Sequence, residues 1–282
     1  MKVTYINKNG DKLEFGNRAP FVFKSIEGLE FNSIVRMTKA PKQIGKSFDD
    51  LSIDERLVTI SFALISEDES GCYSMREKLL KVTNPLIGPG KLVISTEYMD
   101  ADLEVITEKI SIPDLETLSG NILDGMFHLV APNPLFLKQY EESSELSFLM
   151  GGMKMFKLPT GFSLRGKKRK ILNNGQISTP VKIAFHGPGT KPRVNNLTTG
   201  EFIEINSALE DGDILFIDTT DMNKSVRIKR SNGSEENAFG QINLDSTFWK
   251  LVQGENILSY ESRNDSQKTK VEIKFKERLI GL

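Results

Sequence analysis

The sequence predicts a mainly β protein with one packed α-helix, because most apolar residues alternate with polar ones along short segments. Successive side chains of a strand point to opposite faces, so this alternation is typical of half-buried antiparallel sheet. One such segment brings four apolar residues to the same face: Val58, Ile60, Phe62 and Leu64. Another segment, in the second half of the chain, does the same with Val181, Ile183 and Phe185. Asn-Gly and Asp-Gly pairs at residues 9–10, 174–175, 211–212 and 232–233 predict tight turns between strands.

One segment follows a different period and predicts the helix. Residues 71–82 bring four side chains to one stripe at steps of three and four: Cys72, Met75, Leu79 and Val82. Pro85 follows closely and would end the helix. A helix of about twelve residues is marginal by itself, so we expect it to pack on a sheet.

The composition is that of a globular protein, with 38% hydrophobic and 27% charged residues. The formal net charge of −1 gives no bulk electrostatic support for nucleic-acid binding. The sequence has no stretch near the roughly 18 apolar residues of a membrane span, and its first residues lack the apolar core of a signal peptide. We therefore expect cytoplasmic synthesis, no signal peptide and no membrane partner. The one cysteine, Cys72, excludes an internal disulfide framework.

A domain boundary is predicted near residue 140. A strand-like segment is stopped there by Pro132 and Pro134, and the polar residues 141–145 follow. The charge balance also changes, from acidic before this point to slightly basic after it. We expect an N-terminal domain of residues 1–140 and a C-terminal domain of residues 141–282.

The order of these elements resembles the phage distal tail protein family, also called the siphophage tail component family. In the first half the resemblance rests on Gly28-Leu29, the strand that begins at Arg56, and the segments 79–80, 84–92 and 127–136. In the second half it rests on the segments 174–185, 198–205, 211–218 and 253–257. The resemblance lies in the order and spacing of these pieces over nearly the whole chain.

The resemblance implies an N-terminal β-sandwich with one packed helix that forms a homo-oligomeric ring, usually a hexamer, and a C-terminal galectin-like β-sandwich (jelly roll) outside the ring. It implies a virion protein of a long-tailed phage, in the tail tip or baseplate, made in the host bacterial cytoplasm. The ring would join the tail tube protein to the tail hub and carry receptor-binding or adaptor proteins. It implies no enzyme activity and no cofactor. Residues 38–50, from Thr38 to Asp50, are our choice for an arm that reaches a neighbouring subunit or the lumen.

Several motifs have both a functional and a structural interpretation. Residues 40–47, from Ala40 to Ser47, fit a loose phosphate-loop pattern, but no helix is predicted after them, and a solvated loop is favoured. The basic run from Arg165 to Lys170 lacks the aromatic residues that stack on bases, so a hairpin tip is favoured over contact with an acidic protein or with DNA. Four acids lack the spacing of a calcium loop and are interpreted as turn residues: Asp211, Asp213, Asp218 and Asp221.

We predict no catalytic, cofactor-binding or metal site. The two histidines, His128 and His186, fall in different predicted domains, and Cys72 lies on the apolar stripe of the helix, so a nucleophile with a positioned base is not expected. Trp249, the only tryptophan, is interpreted as a core residue, although an exposed tryptophan could stack on a sugar. Two alternatives stay open: a carbohydrate-binding β-sandwich module that recognises host cell-wall polysaccharide, and a hydrolase that acts through paired carboxylates.

Overall fold

The computed structural model describes residues 1–113, 122–147, 168–264 and 268–282. They form two compact units, one of Met1–Gln139 with Leu279–Leu282 and the other of Tyr140–Arg278. The chain therefore changes unit twice, near residue 140 and again after Arg278, and the sequence indicated only the first of these places. Nearly all elements of the described residues are β-strands and one is an α-helix, which confirms the predicted fold class.

The first unit is built on one continuous sheet of mostly antiparallel pairs. Its strands are β1 Lys2–Ile6, β2 Lys12–Phe15, β3 Phe21–Glu27, β6 Arg56–Ile65, β7 Gly90–Ser95, β8 Asp100–Ser111, β9 Ile122–Ala131 and β10 Phe136–Lys138. Their order is β2-β1-β7-β8-β9-β6-β3, and β10 pairs with β8. The two ends of this order meet at Gly16, which donates to the Phe21 carbonyl (3.2 Å) and accepts from the Phe23 N–H (2.7 Å). The two layers of the predicted sandwich are therefore parts of one sheet that closes on itself.

The predicted alternation is realised along β6. Val58, Ile60, Phe62 and Leu64 are each at most 1% exposed, and they face the core of the first unit. Phe62 contacts Phe15 with ring centroids 5.1 Å apart. Aromatic contacts of this kind add stability beyond the area that they bury.

The single α-helix, α1 Glu69–Val82, begins two residues before the predicted segment and ends where it was predicted to end. The side chain of Asp68 caps its first turn by accepting from the Gly71 N–H (2.8 Å). Cys72, Leu79 and Val82 are buried in the core of the first unit, so the helix packs on the sheet as expected.

Arg56, at the start of β6, is 4% exposed and donates to four main-chain carbonyl groups, those of Gly28, Glu30, Pro134 and Ile280. The bonds to Gly28 and Pro134 are both 2.8 Å long. The guanidinium carbon also lies 4.5 Å from the centre of the Phe136 ring. Burial lowers the pKa of Arg56, and the charge of Glu30 partly offsets this effect. Arginine keeps its positive charge in proteins, so every one of these bonds is charge-assisted.

The second unit is a sandwich of two sheets. Its strands are β11 Glu142–Ser147, β12 Lys168–Asn173, β13 Lys182–His186, β14 Gly189–Asn196, β15 Glu201–Glu204, β16 Ala208–Leu209, β17 Ile214–Asp218, β18 Ser225–Lys229, β19 Glu235–Asn237, β20 Gly254–Arg263 and β21 Lys270–Phe275. One sheet has the order β11-β21-β13-β17-β18-β19, and the other has the order β12-β20-β14-β15 with β16 beside β14. A last short strand, β22 Arg278–Leu279, carries the chain back to the first unit.

The core of the sandwich takes apolar residues from both sheets. Val181, Ile183 and Phe185 are buried, as their alternation predicted, and the Phe185 ring meets Tyr260 edge to face at 5.8 Å. Trp249 is 1% exposed, and its indole N–H donates to the Val194 carbonyl at 3.4 Å. The interpretation of Trp249 as a core residue is therefore confirmed.

Replacing Arg56 by alanine is expected to lower the free energy of unfolding by about 3–5 kcal/mol, because buried carbonyl groups lose a charged donor. Denaturant unfolding followed by circular dichroism measures this loss. Arg36→Ala is the matched control, since Arg36 is exposed, and it should change stability by less than about 0.5 kcal/mol. Equal stability of the two variants would contradict the role that we assign to Arg56.

Candidate functional site

A hairpin of the first unit leaves its side chains uncovered. It consists of β4 Ser33–Thr38 and β5 Ser47–Ile53, which pair with each other and with no other described strand. Every residue of the two strands is exposed except Ile53, which is half-buried. An isolated two-stranded hairpin is at best marginally stable in water, so this element is of the kind that is completed by a partner.

One face of the hairpin is apolar. Residues directly opposite each other in an antiparallel pair lie on the same face, and the register pairs Val35 with Leu51 and Met37 with Phe48. These four side chains, which we call the apolar hairpin face, are between 44% and 65% exposed. The opposite face includes the pair Arg36 and Asp50. Contiguous exposed apolar side chains of this kind mark interaction surfaces.

The base of the hairpin, in contrast, is held firmly. Arg56 binds the carbonyl groups of Gly28 and Glu30, just before the first strand. Gly28 has a φ of +85°, and a Cβ atom there would lie 1.9 Å from the Leu57 carbonyl oxygen, so only glycine fits. The Leu29 carbonyl accepts from the Leu282 N–H at 3.2 Å. The hairpin therefore leaves the unit from a fixed point.

The arm expected at residues 38–50 is the tip and second strand of this hairpin, and the whole element is longer than predicted. The phosphate-loop pattern at residues 40–47 forms the turn, where the Gln43 N–H donates to the Ala40 carbonyl at 3.1 Å. A strand begins at Ser47, where a phosphate loop needs a helix. The sequence missed Val35 and Met37, the half of the apolar hairpin face that precedes the turn.

The histidines and the cysteine lie in separate environments. Cys72 is buried in the core of the first unit, and the Nδ1 atom of His128 on β9 is 3.1 Å from the Thr59 hydroxyl. His186, the last residue of β13, belongs to the second unit, and its Nε2 atom is 3.4 Å from a carboxylate oxygen of Glu272. Cys72, the nucleophile considered from the sequence, is therefore not paired with either histidine.

Asp213 is 2% exposed, and its carboxylate accepts three hydrogen bonds. Its carboxylate accepts from the backbone N–H groups of Glu210 (2.9 Å) and Ser231 (2.8 Å) and from the Arg230 guanidinium (2.9 Å). Burial alone would raise the pKa of Asp213, but the hydrogen bonds outweigh it and hold this pKa below its ordinary value.

The other three aspartates have separate partners. Asp211 pairs with Lys268, and Asp218 accepts from the Thr220 N–H at 2.8 Å. Asp221 binds Lys250 at 2.6 Å. Within the described ranges, no three His, Cys, Asp or Glu side chains are grouped so that they could hold a metal ion.

The basic run divides between described and undescribed residues. Its first three positions, 165–167, lie outside the described residues, and Lys168 begins β12. Within β12, Lys170 binds Glu255 at 2.9 Å and Arg169 donates to the Glu145 carbonyl. Lys168 to Lys170 thus lie in a strand, whereas the sequence placed the whole run at a hairpin tip.

Two family models match the chain. Residues 174–279 match the model described as siphovirus-type tail component, C-terminal domain, and residues 8–123 match the phage tail protein RIFT-related domain. No curated protein matches the sequence. In the part of the chain that the structure describes, no helix has the length and apolar character needed to cross a bilayer.

Solved structures with the same fold come from phage tails. The Dit protein of phage SPP1, described as a paradigm of the hub adsorption apparatus of phages that infect Gram-positive bacteria, has a TM-score of 0.72 at 12% identity over 98% of each chain. A chain of the phage P2 baseplate in its activated conformation with calcium has a TM-score of 0.57 at 13% identity, over 100% of this chain and 99% of that one. At these identities the likeness concerns the fold.

Asp213→Asn is expected to lower the free energy of unfolding of the second unit by about 1.5–3 kcal/mol at neutral pH, because charge-assisted hydrogen bonds are lost. The folded-state pKa of Asp213 is depressed. Its contribution is therefore present above the unfolded-state pKa of about 3.9 and is lost as pH falls through the folded-state pKa. The difference in the free energy of unfolding between the unmodified protein and Asp213→Asn should therefore shrink below about pH 4.

The fluorescence of Trp249, the only tryptophan, reports this unfolding from within the second unit. Asp211→Asn is the control, because its partner Lys268 is on the surface and exposed pairs contribute little. A difference that does not change with pH would contradict the proposed role of the Asp213 charge.

Proposed function

We propose, from the premise that the chain belongs to the siphovirus-type tail component family of phage distal tail and baseplate proteins, that copies of it associate into a ring. The protein is a structural component of a phage tail. The finer proposals are that the ring is a hexamer in the tail tip of the virion, and that it joins the tail tube protein to the tail hub. The subunits would be made in the bacterial cytoplasm.

The apolar hairpin face is the observation that carries this proposal. Val35, Met37, Phe48 and Leu51 are unburied in the single chain, although their base is anchored by Arg56. Subunits of a ring meet through two different surfaces, so that an element of one subunit packs on another part of the next. A hairpin with one apolar face suits such a contact, because its burial removes apolar area from water at about 25 cal/mol per Å².

The two units would then have different roles in the phage tail. The hairpin belongs to the first unit, which we propose as the ring-forming domain. The second unit would lie outside the ring and offer a platform for receptor-binding or adaptor proteins. Neither role requires catalysis, and Trp249 is buried, so the stacking site considered for a carbohydrate-binding module does not form there.

Replacing Val35, Met37, Phe48 and Leu51 together by serine is expected to abolish ring formation and leave a folded monomer. The measurements are light scattering, for mass, and electron microscopy of the purified protein, for rings. If the unmodified protein is monomeric alone, the same comparison is made after mixing it with the tail tube and hub proteins of its phage.

The matched control replaces Arg36 and Asp50 by serine, since this pair lies on the opposite face of the same hairpin. The control protein should assemble normally. Assembly of the quadruple variant at the level of the control would remove the hairpin from the interface. A protein that forms no ring either alone or with its tail partners would refute the ring itself.

A further inference from the structure

The outer face of the six-stranded sheet in the second unit holds a groove of about 500 Å³. Ala184 on β13 lies at its centre, with Glu272 directly opposite on β21 and Phe216 directly opposite on β17. Arg227 on β18 follows beyond Phe216. Because the Ala184 side chain ends at Cβ, it leaves a depression between two larger neighbours.

Phe216 provides an apolar surface within this groove. Its side chain is 36% exposed, whereas its neighbours Leu215 and Ile217 point into the core and are buried. Lys182, Asp218 and Arg227 line the groove around it, so the ring is an aromatic surface in a polar setting. An aromatic face of this kind is suited to contact with the C–H groups of a ligand.

Hydrogen-bonding groups with unused capacity lie beside this ring. The Nε2 atom of His186 is buried 3.4 Å from a carboxylate oxygen of Glu272, which is its nearest polar partner among the described residues. Burial, the largest effect, lowers the pKa of His186, so the imidazole is neutral at pH 7. The hydrogen bond from Lys270 (2.8 Å) lowers the pKa of Glu272, which is therefore a carboxylate. Because the Nε2 atom of His186 is closed to solvent, it lies beside Glu272 and does not offer a hydrogen bond to a ligand, whereas the Glu272 carboxylate is partly exposed.

The charges of the groove favour a neutral ligand. Lys182 and Lys274 are directly opposite each other and have no ion-pair partner among the described residues. Opposed like charges are unfavourable, and these ammonium groups have donors to spare. The groove as a whole is balanced, however, because Lys182, Lys274 and Arg227 are matched by Glu141, Asp218 and Glu272. This balance gives no bulk attraction for a polyanion or a polycation.

We propose that this groove binds a neutral saccharide, with one sugar ring on Phe216 and its hydroxyl groups on Glu272. A sugar ring has an apolar C–H face and a rim of hydroxyl groups that both donate and accept. The groove offers an aromatic surface (Phe216), a carboxylate acceptor (Glu272) and ammonium donors (Lys182 and Lys274). Its volume is within the range of about 300–1,000 Å³ that is usual for ligand pockets.

The test is titration calorimetry of the full chain with neutral di- to tetrasaccharides of glucose, galactose and N-acetylglucosamine, with dextran sulfate as the polyanionic comparison. We expect a Kd on the order of 1 mM for at least one neutral sugar. Phe216→Ala and Glu272→Gln should each weaken binding about tenfold or more, a loss of about 1.4 kcal/mol. Phe239→Ala is the matched control, because Phe239 is an exposed aromatic residue of the same unit outside the groove, stacked on Phe248.

Folding of each variant is checked by the Trp249 fluorescence, and assembly is checked by light scattering, so the outcome is independent of the ring. Binding that both groove variants lose and the control keeps supports the proposal. The absence of binding to every neutral sugar at about ten times the expected Kd, binding to dextran sulfate alone, or binding that Phe216→Ala leaves unchanged would each overturn it.

Discussion

The buried guanidinium of Arg56 is the contact on which the first unit depends. It binds main-chain carbonyl groups of three segments at one point. Gly28 belongs to the segment that leads to the hairpin, Pro134 to the segment that leaves the sheet, and Ile280 to the segment that returns from the second unit. Only arginine offers five donors in a rigid planar fork. Lysine has three donors on one atom and could not reach carbonyl groups on so many sides. The Arg56 side chain therefore fixes the position of the residues from which the hairpin begins.

The sheet of the first unit closes on itself, whereas the hairpin that extends from it is exposed. The bonds at Gly16 join the two ends of the strand order, so the body of the first unit offers few free sheet edges to other chains. The hairpin, in contrast, has an apolar face of Val35, Met37, Phe48 and Leu51 that is exposed in the single chain. In the proposed ring, a contact through this face would have one defined geometry, whereas exposed sheet edges would allow many.

The sequence was informative wherever a pattern was local. The spacing of Val58 to Leu64 and of Cys72 to Val82 predicted a strand and a helix correctly, because one period operated over each segment. The apolar hairpin face was missed because its two halves are separated by a polar turn and a bulge that interrupts the alternation. The groove could not be predicted, because strand register, which local patterns do not specify, brings Ala184, Phe216 and Glu272 together from distant parts of the chain.

The return of residues Leu279–Leu282 to the first unit makes the second unit an insertion within the first. During translation, the whole second unit leaves the ribosome before Ile280 can give Arg56 its last carbonyl group. Leu279, which belongs to the first core, also arrives only then. The base of the hairpin is therefore complete only after residues that follow the second unit in the chain have been made. In the proposed ring, association through the hairpin would then follow the synthesis of both units.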